Sequence, residues 1–247
     1  MLHSEARDTV VPSSTTGANT ATGVMMEAAQ DHSMNVAELR MTQRRYCPAC
    51  ERPQSRCLCA LAVPVSLPWR LVVLQDPSEV KNAKGSVALL RACLPELTLW
   101  CSENFAEHED LEGLLKDPAL RCLLLYPGES AISVPQLQAQ SDERPLCFIL
   151  LDGTWRKSLK LLHSHPQLQL LPRVALAPSQ PGGYHIRKSP RADGLSTFEA
   201  AAHLLGEWQA DQATDDSARL LGCFSSWIER ELATLPAEVR SRYPAGS

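Results

Sequence analysis

From residue 64 onward, short apolar runs alternate with segments whose apolar residues recur at helical spacing. The runs Trp69–Leu74, Leu97–Cys101, Arg121–Tyr126, Leu146–Leu151 and Arg173–Ala177 are predicted strands. Helices are predicted over Ser86–Leu94, Glu109–Lys116, Thr154–His163 and Thr197–Ala210, with a last one over much of Ala218–Leu235. Nearly continuous apolar strands suit a sheet covered on both faces. Their alternation with helices predicts an α/β domain built on a mostly parallel sheet with helices on both faces. In open sheets of this kind ligands gather beyond the carboxyl ends of strands. Two such ends stand out: Tyr126-Pro127-Gly128-Glu129 after the third strand, and Asp152-Gly153-Thr154-Trp155 after the fourth.

The first part of the chain has no such pattern. Residues 1–43 are rich in Ser, Thr, Ala and Gly and hold few large apolar side chains. Such a segment buries too little surface to offset its ordering entropy and is predicted to be disordered, with at most a short helix around Val36–Thr42. A cysteine cluster follows, and Pro64 and Pro68 mark an extended entry to the main domain. The predicted organisation is therefore a disordered segment over 1–43, a cysteine knuckle over 44–63 and a single domain over 64–240.

Composition agrees with that size. A chain of 247 residues with 44% hydrophobic content can bury a full core. No run approaches the roughly 18 apolar residues of a membrane span. The N-terminus MLHSEARDTV lacks the basic flank and apolar run of a secretory signal, so a soluble cytoplasmic protein without membrane contact is expected. Of the 24 basic and 28 acidic side chains, two basic and five acidic ones fall in the first 43 residues, leaving 22 against 23. Binding of a nucleic acid must then come from local clusters and not from bulk charge.

Candidate chemistry begins with the cysteines. Cys93, Cys101, Cys122, Cys147 and Cys223 are scattered through apolar segments, where a thiol packs as a small hydrophobe. Cys47, Cys50, Cys57 and Cys59 instead fall within thirteen residues. Four thiolates at this density complete a tetrahedral zinc shell with no open position, which implies a structural ion. The alternative is four reduced cysteines in a loop, but Arg44, Arg45, Glu51, Arg52 and Arg56 make the surroundings too polar for a buried thiol patch. The four arginines suit a phosphate contact.

Asp152 is placed to project into a cleft, with Gly153 permitting a tight turn. Taken alone, the segment also reads as a helix cap formed by Asp152 or Thr154. Trp155 is then either core or a stacking platform for a base. Ser196 and Glu199 have the spacing of a capping box. The basic residues Arg187, Lys188 and Arg191 sit in a Gly/Pro-rich loop leading to that helix start; they are a solvated loop or a site for phosphate or carboxylate. The segment Gln75-Asp76-Pro77-Ser78-Glu79 is a substrate loop or an ordinary turn. No GxGxxG, Walker loop or HExxH is present.

In their order these segments resemble the DTW-domain family of tRNA-uridine aminocarboxypropyltransferases. The likeness covers roughly residues 44 to 235. It rests on the clustered cysteines, Gln75-x-Pro77-x-Glu79, Tyr126-Pro127, Asp152-x-Thr154-Trp155, Tyr184-x-x-Arg187 and Thr197-x-Glu199-Ala200. Two departures fall in the first loop: Asp76 stands where many members have His, and Gly85-Ser86 where they have Asn-Thr.

The resemblance implies a knotted, SPOUT-like α/β fold and the binding of S-adenosylmethionine as a substrate. It implies transfer of the aminocarboxypropyl group to uridine N3 of tRNA, in the variable loop, with release of methylthioadenosine. Catalytic roles then fall on Asp152 as general base, with its pKa raised by desolvation, and on Thr154 and Trp155. Binding of S-adenosylmethionine falls on Tyr126, Pro127, Gly128, Asp152, Gly153, Arg187, Ser196, Thr197 and Glu199. Zn2+ falls on Cys47, Cys50, Cys57 and Cys59. Contact with tRNA falls on Arg44, Arg45, Arg52, Arg56, Arg156, Lys157, Lys188 and Arg191. A homodimer is an assembly that SPOUT-like folds often adopt. A methyltransferase of the same fold and a non-catalytic RNA-binding module are the competing readings.

Overall fold

The computed structural model describes residues 45–80, 82, 84–177, 194–210, 212 and 214–241. Arg44, Tyr184, Arg187, Lys188 and Arg191 lie outside the described residues, as does the segment 1–43. Five parallel strands form one sheet: β1 (Arg70–Gln75), β2 (Thr98–Cys101), β3 (Arg121–Leu125), β4 (Leu146–Asp152) and β5 (Arg173–Val174). Their spatial order is β2-β1-β4-β3-β5. Each predicted strand is present with ends shifted by a few residues. The last is shorter than its apolar run suggested, because beyond Val174 the chain pairs sideways with Ile132 instead of extending the ladder on β3.

Alternate residues of each strand enter opposite cores. Leu71, Val73, Leu123, Phe148 and Leu150 face one layer, while Val72, Leu74, Leu124, Cys147 and Ile149 face the other. This is why the strands read as unbroken apolar runs.

The first layer holds α2 (Val87–Cys93), α4 (Val134–Gln138), α7 (Thr197–Trp208) and α8 (Asp216–Ala233); the second holds α3 (Glu109–Lys116), α5 (Trp155–Ser164) and α6 (Pro166–Gln169). Helices therefore cover both faces, as the pattern predicted. The one-turn helices α1 (Pro77–Val80) and α9 (Ala237–Arg240), along with α4 and α6, are too short to show a periodicity. No helix among the described residues is long and apolar enough to cross a membrane.

Phe148, Phe198 and Trp227 are fully buried in the first layer, each burial being worth roughly 2–3 kcal/mol. Cys93 and Cys223 join them, their sulfurs 3.6 Å apart between α2 and α8. Cys101 departs from the expected packing: it ends β2 at an exposed position, near Asp76 and Asp152. The second layer is tied by His165, which is fully buried. Its Nε2 accepts from the Phe105 amide at 2.7 Å, and its Nδ1 lies 2.6 Å from the Leu161 carbonyl. The same Nε2 also lies 3.1 Å from Asn104 Oδ1.

Candidate functional site

The site grows from the paired carboxyl ends of β1 and β4. Gln75 and Asp152 are register partners, and the Asp76 amide donates to the Asp152 carbonyl at 3.0 Å. Asp152 thus still belongs to the strand, and the helix cap falls to Thr154. The Thr154 hydroxyl accepts from the Lys157 amide at 3.4 Å, so of the two capping candidates it alone fills that place. Asp152 is 8% exposed, and its side chain is used elsewhere. Its Oδ2 accepts from the Gln75 side-chain amide at 2.8 Å, and its Oδ1 from the Thr197 hydroxyl at 2.6 Å. One carboxylate therefore joins β4, β1 and the first residue of α7.

The helix that Thr197 opens is capped as its sequence predicted. The Glu199 amide donates to Ser196 Oγ at 3.2 Å, and Glu199 Oε2 accepts from the Ser196 amide at 2.8 Å. Ser196 and Glu199 are thereby occupied locally, and their effect on the site is to aim Thr197 at Asp152. Gly153 packs closely on the helix start: a Cβ there would lie 3.1 Å from Lys157 Cβ, and that side chain would have to give by a few tenths of an ångström.

A second wall comes from the end of β3. The Tyr126 and Trp155 rings stack with centroids 5.4 Å apart and planes 14° apart. The Arg173 guanidinium lies 5.9 Å from the Tyr126 ring centre, within cation–π range. Pro127 and Gly128 follow at an exposed turn, and a Cβ on Gly128 would stand 2.9 Å from Arg173 Nη1. Tyr126 is buried in this stack, while Trp155 is half-buried, a few residues from Asp152 along the sheet edge. Arg173 escaped the sequence reading because nothing local ties a strand arginine to a tyrosine on another strand.

The first loop is held by Lys157. Its ammonium lies 3.4 Å from Asp76 Oδ1 and 3.6 Å from Glu79 Oε1, and it donates to the Ser78 hydroxyl. Glu79, 4% exposed, also accepts from the Asn82 side-chain amide at 2.9 Å. Burial alone would raise the Asp76 pKa, but the Ser78 hydroxyl and amide and Lys157 outweigh it and hold the carboxyl below its ordinary value. The negative charge introduced at residue 76 is therefore neutralised within the protein. Lys157 faces this loop, whereas Arg156 is exposed.

The four clustered cysteines also converge. Their sulfurs all lie within 4.8 Å of one another, with Cys47–Cys59 at 3.7 Å and Cys50–Cys57 at 3.8 Å. Four sulfurs at zinc–thiolate bond length in a tetrahedron would be about 3.8 Å apart, so the donor set fits zinc closely. The turn between Cys47 and Arg52 is closed by the Cys47 amide on the Arg52 carbonyl at 2.7 Å and by Glu51 in the left-handed region at φ 55. Backbone amides of Cys50 and Ala49 pull the Cys47 thiol down to about 6, while the side-chain hydrogen bond with Cys47 pushes Cys59 up to about 12, so the crowded thiols share their protons unequally.

The knuckle is fixed to the sheet domain. Leu58 is fully buried in the first layer, and Arg230 donates to the Cys57 carbonyl at 2.6 Å. Arg52 donates to the Gly85 carbonyl at 3.2 Å, and burial lowers its pKa against the pull of Glu231. Arg56 lies 3.4 Å from Glu231. Of the arginines read as a phosphate surface, Arg52 and Arg56 thus hold the knuckle in place, while Arg45 is exposed.

The DTW domain family model matches residues 44–232. The chain is 34% identical over 164 residues to tRNA-uridine aminocarboxypropyltransferase 2 of Mus musculus, a match covering 65% of this chain and 55% of that protein. It is 31% identical over 170 residues to the protein of the same name from Drosophila melanogaster, covering 66% of each. A third relative, tRNA-uridine aminocarboxypropyltransferase A of Arabidopsis thaliana, is 22% identical over 216 residues, covering 76% of this chain and 82% of that protein. The chain therefore spans little more than half to two thirds of the length of the animal relatives it matches. No solved structure matches.

Proposed function

Because the chain belongs to the DTW-domain family, we propose that it is a tRNA-uridine aminocarboxypropyltransferase acting with S-adenosylmethionine as group donor. In this reaction uridine N3 attacks the methylene of the methionine chain. The carbon–sulfur bond to the sulfonium breaks, and methylthioadenosine leaves with the electron pair. The N3 proton must pass to a base. The reading is carried by one observation, the Asp152 carboxylate held at 2.8 Å by Gln75 and at 2.6 Å by Thr197 where β1 and β4 end together.

A carboxylate is a suitable acceptor for the N3 proton, and Asp152 is held at a fixed place to receive it. Gln75 and Thr197 orient it, and Thr154 sets the direction of α5 beneath it. Which carbon of the donor reacts is decided by positioning. The half-buried Trp155, backed by Tyr126, suits a flat adenine, the Pro127-Gly128 and Gly153 turns allow backbone approach, and Arg187 suits the methionine carboxylate. Lys188, Arg191 and the exposed Arg156 suit tRNA phosphates. The four cysteines hold a structural zinc. The knotted SPOUT-like threading, the choice of the variable loop and a cytoplasmic location complete the reading.

Incubation with S-adenosylmethionine and unmodified tRNA, followed by nucleoside mass spectrometry, tests it. An aminocarboxypropyl-uridine with an equal amount of methylthioadenosine is expected. Methylated nucleoside with S-adenosylhomocysteine would assign a methyltransferase instead, and tRNA binding with neither product a non-catalytic module.

A further inference from the structure

A cavity of about 1150 Å³ opens between the cysteine knuckle, the end of β1, β2 and α2. It exceeds the several hundred Å³ that enclose one small ligand. Four arginines line it (Arg45, Arg52, Arg56 and Arg91), against two acidic residues, Glu51 and Glu79. Glu79 already faces Lys157 and Asn82, so the field inside the cavity is positive.

The arginines divide into two kinds. Arg52 and Arg56 are bound to Gly85 and Glu231 and shape the wall. Arg45, on the knuckle, and Arg91, on α2, are exposed and form no ion pair among the described residues. Between knuckle and solvent stands Tyr46, 57% exposed, with its backbone bridged to Pro53. An exposed aromatic ring beside unpaired guanidinium groups is the arrangement that single-stranded nucleic acid uses, with bases stacking and phosphates paired. Gln75, whose side-chain amide holds Asp152, also lines the cavity.

From this arrangement we infer that the cavity is a groove for a single-stranded segment of RNA, running from Tyr46 past Arg45 and Arg91 to the Gln75–Asp152 pair. The groove delivers the nucleotide next to the strand ends while the knuckle grips the neighbouring backbone. The inference rests on the proposed tRNA substrate, but it assigns a surface that the reaction alone does not locate.

The test compares Arg45→Ala/Arg91→Ala and Tyr46→Ala with the parent and with Tyr46→Phe. The measurements are equilibrium binding of unmodified tRNA over a range of salt, binding of S-adenosylmethionine, and zinc content. The double arginine variant should bind tRNA at least tenfold more weakly and flatten the log–log salt slope by about 1.4, at about 0.7 per lost single-strand phosphate contact. Tyr46→Ala should weaken binding about five- to hundredfold with the slope unchanged, and Tyr46→Phe should retain it. Zinc content and S-adenosylmethionine binding should stay at the parent level in all of them. Unchanged tRNA affinity and slope in the arginine variant overturn the groove, even if the parent modifies tRNA normally. Loss of tRNA binding in a protein that yields no aminocarboxypropyl product would instead keep the groove and remove the proposed reaction.

Discussion

The side-chain amide of Gln75 donates to the carboxylate of Asp152 at 2.8 Å, across two strands whose last residues are in register. Because an amide can turn over and a hydroxyl can accept as well as donate, Gln75 and Thr197 can both re-pair with an asparagine at position 152. Asp152→Asn should therefore keep its fold and most of its tRNA affinity while losing about 10²-fold or more in transfer rate. Asp152→Ala should lose stability as well, since it strands the Gln75 amide. Single-turnover kinetics beside thermal unfolding separate these effects, and turnover of the Asn variant within a few-fold of the parent would remove Asp152 as the base.

The cysteine cluster should carry one zinc ion per chain. Leu58 lies in the main core and Arg230 holds the Cys57 carbonyl, so metal loss must disturb the sheet domain and not only a loop. Cys50→Ser, or chelation of the parent, should lower Tm by about 5 °C or more. Metal analysis of protein purified under reducing conditions checks the stoichiometry, and a metal-free protein with unchanged Tm would end the assignment.

His165 has a structural part that no functional reading requires. His165→Leu leaves the Phe105 amide and the Leu161 carbonyl without their partner inside the second layer. A loss of about 1–3 kcal/mol is expected from denaturant unfolding, with affinity for S-adenosylmethionine unchanged.

Lys157 links the loop after β1 to α5, and its effect should depend on pH. The Asp76 pKa is lowered in the folded protein, so its contribution is complete above the unfolded carboxylate value. The contribution is lost as the pH falls through the lower folded value. Lys157→Met should cost about 1 kcal/mol at neutral pH by removing the positive charge beside Asp76 and Glu79. The gap between parent and variant should narrow as Asp76 becomes protonated in acid. A gap constant from pH 7 to pH 3 would show that the lysine acts by packing alone.

Local pattern determined much of this protein. Apolar runs and helical spacing are properties of neighbouring residues, and they placed the five strands and the longer helices to within a few positions. The cysteine spacing likewise foretold four converging sulfurs, because thirteen residues allow little freedom in how thiols meet. Strand order and side-chain partnership were decided by tertiary structure. Asp152 reads equally well as a cap until β4 is seen to run one residue further, paired with β1, which passes the cap to Thr154. Its partners lie 77 and 45 residues away, and nothing near Gln75 or Thr197 in the chain names Asp152. Arg52 and Arg56 read as surface charge until α8 brings Glu231 beneath them. Periodicity tells a residue which face to bury, but the partner it meets there depends on how distant elements stack, and that is settled only when both layers close on the sheet.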